Sequence, residues 1–362
     1  MKKIRIFYLY PLPRSEILRE GTINFARKSL FYGLDCLYKH NIKADYSDNG
    51  FRSGYIPFLA RKLSAFFQIF FDFPIDFSHI IISFRKILKS DIIFATSQRQ
   101  GLPLALLKYF KIIRKPIVFC SIGFSELLKE RFNANIVFFR KIFKCTDKII
   151  CYGWQEKEDL KTLLNLDDKK VKFFPFGVDT DFFTPSNIET KDFILSVGND
   201  NKRDYQTLLL AMRGLSINLL IITAPENMEG LIVSENIKVY YRVPYIQLKE
   251  FYSQSRFVIL PVKDNSYSGG TTTLLEAMAL AKAVIVSYTG GIKKGYHLRH
   301  NGNCFLVTPG NVEELKEAIQ YLYSHPEECF RIGSNARRSV EVHNSWNIYV
   351  NRLVGIFKEV YK

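Results

Sequence analysis

The residues best suited to chemistry lie in one stretch, Ser266–Ser287, which reads SYSGGTTTLLEAMALAKAVIVS. It follows the apolar run Phe257–Leu260, turns on Gly269 and Gly270, and continues as a helix whose apolar side carries Leu275, Met278 and Ala279. A turn that opens a helix leaves backbone N–H groups unpaired, here at Gly270, Thr271 and Thr272, and the two glycines let an anion come close to the backbone. Thr271 and Thr272 add hydroxyls. Glu276, a turn or more into the helix, is unsuited to a phosphate but suited to accept from the two hydroxyls of a ribose. Taken alone, a Gly-Gly pair before a helix is just as often only a tight turn. With the threonines and the glutamate, the stretch reads as a holder for a nucleoside diphosphate.

A second loop has the same character. The apolar run Phe193–Val197 leads into Gly198-Asn199-Asp200-Asn201-Lys202-Arg203-Asp204-Tyr205 and a helix over Gln206–Met212. A strand, a glycine turn carrying cations and a helix start again attract an anion, with Arg203 and its neighbour Lys202 placed to neutralise a diphosphate. A solvated turn is the plain alternative. Further on, Arg242-Val243-Pro244 opens the loop after the run Ile237–Tyr240.

The elements that must position these loops alternate between strand-like and helix-like runs from the start, which predicts parallel sheets covered by helices. Strands are expected at Ile4–Leu9, Ile42–Tyr46, Asp91–Ala95, Ile117–Cys120 and Lys148–Cys151, with a helix over Ile23–His40. The segment Lys170–Pro185, KVKFFPFGVDTDFFTP, ends on a glycine turn and a proline stop and reads as a domain boundary. Strands at Leu219–Thr223 and Ile237–Tyr240 and helices at Val312–Tyr323 and Pro326–Val342 follow, and Trp346–Lys362 carries Tyr349, Leu353, Ile356 and Val360 at helical spacing. The expected domains are residues 1–185, residues 186–344, and a last helix over 345–362.

Ser268–Glu276 with the following AMALAKAVIVS resembles the nucleotide-binding segment of retaining glycosyltransferases of the GT-B fold, the large glycogen-synthase-like group. Lys170–Pro185 is similar to the hinge signature of that group, and Gly290, Gly291, Asn301, Gly302, Pro309 and Gly310 match its later glycine positions. The resemblance covers Lys170 to about His343. It implies an α/β chain of two Rossmann-like doubly wound domains facing across a cleft, the last helix crossing back to the first domain. It also implies sugar transfer from a nucleoside-diphosphate sugar to a polysaccharide or lipid-linked acceptor with retention of configuration. Donor-binding positions carried over are Gly198, Asn199, Val243, Gly269, Gly270, Thr271, Thr272 and Glu276, with Arg203, Lys202 and Ser268 at the catalytic positions. Two departures stand out. Ser268 occupies the place of the first of two glutamates that frame the loop in the group, and Asn199 that of an arginine. The histidine that often follows the strand at Ile117–Cys120 is replaced by Ser121-Ile122-Gly123, so acceptor residues do not carry over. Arg14 and Arg99, each just beyond a strand end, are the acceptor-side candidates. No Asp-rich metal loop is present, so neither a metal nor another cofactor is expected, and protein cations take that role.

Composition bounds these readings. A chain of 362 residues with 47% hydrophobic and 24% charged residues suits two globular domains. The formal charge is +16 and uneven: residues 1–180 hold 31 Lys and Arg against 17 Asp and Glu, residues 181–362 hold 20 against 18. Such a basic half fits nucleic acid, anionic lipid or an acidic acceptor. No helix-turn-helix, RRM or zinc pattern supports nucleic acid. Three segments mix cations with aromatics, Phe58–Phe71, Leu102–Lys115 and Phe132–Lys144, which points to peripheral contact with an anionic membrane, although an amphipathic core helix has much the same pattern. Six cysteines without metal or redox spacing fit buried reduced thiols. The N-terminal apolar run is too short for a signal peptide, and a cytoplasmic location, at the inner membrane face, is expected. Two rivals remain open: a sugar-nucleotide epimerase on the same fold, which needs a general acid and base, and a non-catalytic nucleotide-sugar binder.

Overall fold

The structure is a computed structural model that describes residues 3–12, 14, 28–47, 55–71, 75–131 and 136–361. Two compact units emerge, Met1–Phe174 with Val350–Lys362, and Pro175–Tyr349.

The first unit holds strands β1 (Ile4–Leu9), β2 (Ile42–Tyr46), β3 (Ile92–Ala95), β4 (Ile117–Ser121), β5 (Lys148–Cys151) and β6 (Val171–Phe173). They pair in parallel in the order β2-β1-β3-β4-β5-β6. Its helices are α1 (Tyr55–Phe71), α2 (Ser78–Ile82), α3 (Phe84–Lys89), α4 (Gln98–Tyr109), α5 (Phe124–Arg131), α6 (Ile136–Phe143) and α7 (Trp154–Leu164). β3, β4 and β5 are buried along their whole length, as strands covered on both faces must be. Burial pushes the thiol of Cys120 on β4 up to about 12, so it stays protonated as a small apolar group.

The expected helix over Ile23–His40 is not formed as such. Residues 23–27 lie outside the described residues, and 28–40 make two short 3-10 segments, Lys28–Phe31 and Leu34–His40. Tyr32 and Gly33 between them take positive φ of 51° and 83°, which breaks an α-helix. The segment Leu102–Lys115 is also no surface helix. α4 ends at Tyr109, and Leu102, Leu104, Ala105 and Leu106 belong to the core, while Lys111 turns at φ 60°. Lys108 donates to Asp147 and to the carbonyl of Lys115. Of Phe132–Lys144, residues 132–135 lie outside the described residues, and α6 buries Phe139, Ile142 and Phe143.

The second unit holds β7 (Ile194–Val197), β8 (Leu219–Ile222), β9 (Ile237–Tyr240), β10 (Val258–Leu260), β11 (Val284–Ser287) and β12 (Phe305–Val307), parallel in the order β12-β11-β10-β7-β8-β9. Its helices are α8 (Tyr205–Ala211), α9 (Tyr245–Gln254), α10 (Thr271–Ala279), α11 (Val312–Ser324) and α12 (Pro326–His343), with the start of α13 (Trp346–Val360). The sequence reading placed the first boundary after Pro185, but the second unit begins at Pro175. The reason is local pairing: Val178 N–H donates to Asn344 O at 2.9 Å, and the Phe176 ring lies 5.2 Å from that of Tyr349. The later part of α13 belongs with the first unit, where Phe357 meets the rings of Tyr8 and Phe94 and Glu359 pairs with Lys148 at 2.6 Å.

In each sheet the strand order reverses once, between β1 and β3 in the first and between β7 and β10 in the second. Loops leaving the carboxyl ends of such a pair diverge to opposite faces and open a crevice where ligands bind. The loops after β7 and β10 are the two anion-attracting loops of the sequence.

One contact holds α10 against this crevice from behind. Gly333 of α12 packs so closely on the turn after α10 that a Cβ there would lie 2.0 Å from the Ala281 carbonyl oxygen. Four residues on, Arg337 Nη1 donates to Ala279 O at the end of α10 and to the carbonyls of Thr180 and Phe183. Gly333→Ala is expected to destabilise the protein by about 2 kcal/mol or more, because backbone on the other side cannot yield. Urea unfolding of the variant beside Ser334→Ala, which adds no such clash, checks it.

Candidate functional site

The loops after β7 and β10 are stitched together by backbone bonds. Asp204 N–H donates to Pro261 O at 3.0 Å and Lys263 N–H to Lys202 O at 2.8 Å, so Arg203 faces Val262 as an antiparallel bridge. Asp204 caps α8, its carboxylate accepting from the Thr207 N–H and hydroxyl. These bonds fix where the Arg203 side chain starts.

Arg203 is only 6% exposed. Its guanidinium fills the space that two missing side chains leave. A Cβ at Gly198 would lie 1.8 Å from Nε, and one at Gly270 2.7 Å from Nη1. Nη2 donates to Thr273 Oγ1 at 3.1 Å. Nε and Nη1 are buried and meet no acceptor among the described residues. Each buried donor left unpaired costs about 1–3 kcal/mol, more when the group is charged. An anion entering between the two glycine loops would remove that cost.

The start of α10 differs in one respect from the sequence expectation. Gly270 is its N-cap with φ 81°, a left-handed conformation natural to glycine. Thr271, however, is not an open donor: its N–H and its hydroxyl both donate to Ser268 O, at 3.2 and 2.9 Å. This closes the loop as a tight turn and buries Thr271. The N–H groups of Gly270 and Thr272 keep no acceptor among the described residues, and Thr272 and Ser268 stay half-buried at the surface. The neighbouring Gly291 lies under Tyr267, where a Cβ would come within 1.8 Å of its carbonyl oxygen.

Glu276 is buried, with the hydroxyls of Tyr245 and Tyr252 each 3.4 Å from one of its oxygens. Both tyrosines come from α9, just past Val243, which is half-buried. Tyr245 in turn stacks on Phe182 with centroids 5.1 Å apart and planes 2° off parallel. The long hydroxyl contacts leave the carboxylate able to exchange a tyrosine for a ribose hydroxyl. Sequence reasoning missed Tyr245, Tyr252 and Thr273; only the position of Tyr245 two residues after Val243 hinted at the first. Of the sequence candidates in the second unit, Gly198, Arg203, Gly269, Gly270 and Thr272 gather at the switch point, while Lys202 is half-buried beside Asp200 and Asn199 is exposed.

In the first unit, Arg14 and Arg99 follow the adjacent strands β1 and β3. Arg14 donates to Leu30 O and lies 5.6 Å from the Tyr10 ring centroid, and Arg99 is exposed in the first turn of α4. A third group, Glu156, is absent from the sequence candidates. Glu156 of α7 is fully buried at the end of β4, its Oε1 accepting from Ser121 Oγ at 2.6 Å and Phe124 N at 2.9 Å, its Oε2 without a partner among the described residues. Burial pushes this carboxyl up to about 7.

Residues 178–339 match the model of the family described as glycosyl transferases group 1, a match that covers most of the second unit and under half of the chain. MMP alpha-(1->4)-mannosyltransferase of Mycolicibacterium hassiacum is 24% identical over 261 residues, 68% of this chain and 59% of that relative. Among solved structures, sucrose-phosphate synthase from Thermosynechococcus elongatus superposes with a TM-score of 0.74 at 15% identity, covering 99% of both chains. HepE of Anabaena, solved with UDP-glucose, gives 0.70 at 14% identity, covering 98% of this chain and all of that one. The two units thus have the two-domain α/β architecture of the GT-B fold.

Two outcomes test this geometry. Arg203→Met removes an unsatisfied buried charge at similar volume, so the free protein is expected to unfold at an unchanged or higher temperature while losing affinity for nucleoside diphosphates at least tenfold. Calorimetric titration beside a melting curve reads both. Glu156 gives a pH signature. A carboxyl raised in the folded state contributes stability that is complete below the ordinary carboxylate range and is lost as pH rises to about 7. Glu156→Gln keeps the acceptor for Ser121 and Phe124, so it should flatten the fall in stability between about pH 4.5 and 7, read by urea unfolding at each pH.

Proposed function

We propose that this chain moves a sugar from a nucleoside-diphosphate sugar to a glycan or lipid-linked acceptor, with retention of configuration and without a metal. The observation that carries it is the pair of unpartnered Arg203 N–H groups where the two glycine loops of the family-matched segment meet. HepE was solved with UDP-glucose, which supports a nucleotide-sugar here, and the mannosyltransferase relative supports sugar transfer.

In this reading the diphosphate lies across the Gly198 and Gly270 loops, the ribose reaches Glu276, and Val243 borders the base. As the bond from the anomeric carbon to the phosphate oxygen breaks, charge grows on the departing diphosphate. Arg203, Lys202 and the N–H groups of Gly270 and Thr272 stabilise that charge in place of a divalent ion. The acceptor hydroxyl forms its bond to the anomeric carbon on the face the phosphate leaves, and its proton passes to a phosphate oxygen. Ser268, at the place of a glutamate in the resembling group, leaves this transfer without a side-chain carboxylate beside the sugar. Arg14 and Arg99, at the switch point of the first unit, are the proposed acceptor contacts, and the inner face of the cytoplasmic membrane is the proposed place of work.

A melting-temperature panel of UDP-, GDP-, ADP- and dTDP-sugars tests the donor site. A bound donor at a hundredfold excess over its dissociation constant stabilises by about 2.7 kcal/mol. One nucleotide is expected to shift the melt, and both Glu276→Ala and Arg203→Met should abolish the shift. For transfer itself, Arg203→Met should lower kcat by on the order of a hundredfold, the usual loss when one oxyanion donor is removed. Donor binding without transfer or hydrolysis under any acceptor would favour the non-catalytic binder.

A further inference from the structure

Of the three basic aromatic segments in the first unit, Phe58–Phe71 leaves five large apolar residues exposed on one helix. α1 touches the rest of its unit along a narrow stripe. Ala60 is buried, the Ser64 hydroxyl donates to Ala60 O and accepts from Phe77 N–H, and the Phe67 ring lies 5.1 Å from that of Phe77. Positions 60, 64 and 67 fall on one side of a helix. Phe58, Phe66 and Ile69 on the far side and Leu59 and Leu63 flanking the stripe are all exposed, Phe66 at 63% and Ile69 at 83%. A helix at the surface of a water-soluble domain carries polar residues there. Exposed apolar surface gathered on one face marks a docking site.

The charge around this face selects the occupant. No carboxylate occurs between Tyr55 and Phe71, and the cations are Arg61 and Lys62. Lys62 lies among the exposed apolar residues, its ammonium 5.7 Å from the Phe58 ring centroid. Residues 1–180 hold 31 Lys and Arg against 17 Asp and Glu, so the half of the chain that presents this helix is basic as a whole. A second copy meeting it helix to helix would bring the same cations, and the helix itself carries no carboxylate to meet them. A surface that accepts aromatic and aliphatic side chains and also presents negative charge is an anionic lipid bilayer. Among the described residues no helix is long and apolar enough to cross a membrane, so α1 would lie in the interface plane.

We propose that α1 docks the protein on anionic phospholipid, with Phe66 and Ile69 entering the acyl boundary and Lys62 held at the headgroups. The inference does not rest on sugar transfer, because lipid binding is measured without donor or acceptor. Failure of one leaves the other standing.

The test is sedimentation of the full chain with vesicles of phosphatidylcholine, with and without one-third phosphatidylglycerol, at low and high salt. Binding is expected only with phosphatidylglycerol and should weaken at high salt. The double variant Phe66→Ser/Ile69→Ser should bind at least tenfold more weakly, and Lys62→Glu should also bind more weakly. Phe110→Ser/Ile112→Ser, exposed residues at the end of α4, should bind as the parent does. Circular dichroism confirms that each variant is folded. In a Phe66→Trp variant, emission should shift to the blue on adding anionic vesicles. Equal binding by parent and Phe66→Ser/Ile69→Ser would overturn the proposal. So would an unmoved Phe66→Trp emission, or a parent dimer that this double variant dissociates while neither protein binds vesicles.

Discussion

A buried guanidinium between two glycines is the constraint on which the second unit turns. Arg203 occupies the volume that side chains at 198 and 270 would take, so a larger residue at either would displace the guanidinium, and φ of 152° and 81° favours glycine at both. Gly270 must also serve as the left-handed cap of α10, and the same absence of a Cβ satisfies both demands. The arrangement is unfavourable by itself, since Nε and Nη1 find no acceptor. It persists because the backbone bonds from Asp204 to Pro261 and from Lys263 to Lys202 fix the chain on either side of Arg203. Folding of the sheet thereby carries the cost of a charge held ready, which is how a binding site avoids reorganising when its ligand arrives.

The two units share a topology but not an electrostatic design. Both sheets reverse their strand order once, and both send loops from the carboxyl ends of the reversing strands. In the second unit those loops converge on a cation and free backbone donors. In the first, a buried titratable group near the strand ends is the carboxyl of Glu156, raised by burial and held by Ser121 and Phe124. A group that is partly neutral near pH 7 does not repel or attract strongly. Among the described residues, the exposed Arg99 and the half-buried Arg14 bring positive charge near the first switch point.

How far the sequence revealed this depended on the range of the interaction. Strands read well, because fully buried parallel strands such as Ile117–Ser121 are continuous apolar runs set by local composition. The glycine loops read well for the same reason: a turn and a helix start are encoded within a few residues. The helix expected over Ile23–His40 did not form as such in its described part, where Tyr32 and Gly33 take left-handed conformations that no periodicity announces. Thr271 looked like a ligand-facing donor, yet its hydroxyl turns back to Ser268, a choice made by loop geometry and not by residue type. The tyrosines beside Glu276 come from a helix more than twenty residues earlier, and a single sequence does not show such pairings.

The same limit explains why three basic aromatic segments looked alike. Cations alternating with aromatics satisfy a core helix whose lysines reach past its edge as readily as a helix on a lipid surface. The difference lies in what the other elements cover. The middle of α4 lies in the core against β4, and Lys108 is drawn to Asp147; α6 is covered by the same core. α1 meets the Phe77 segment with one stripe, and apolar residues on its other sides stay exposed. Apolar surface of that extent is unfavourable in water by roughly 25 cal/mol for every Å² exposed. Exposed on a helix without a single carboxylate, it suits the proposed docking on a surface that is both apolar and anionic.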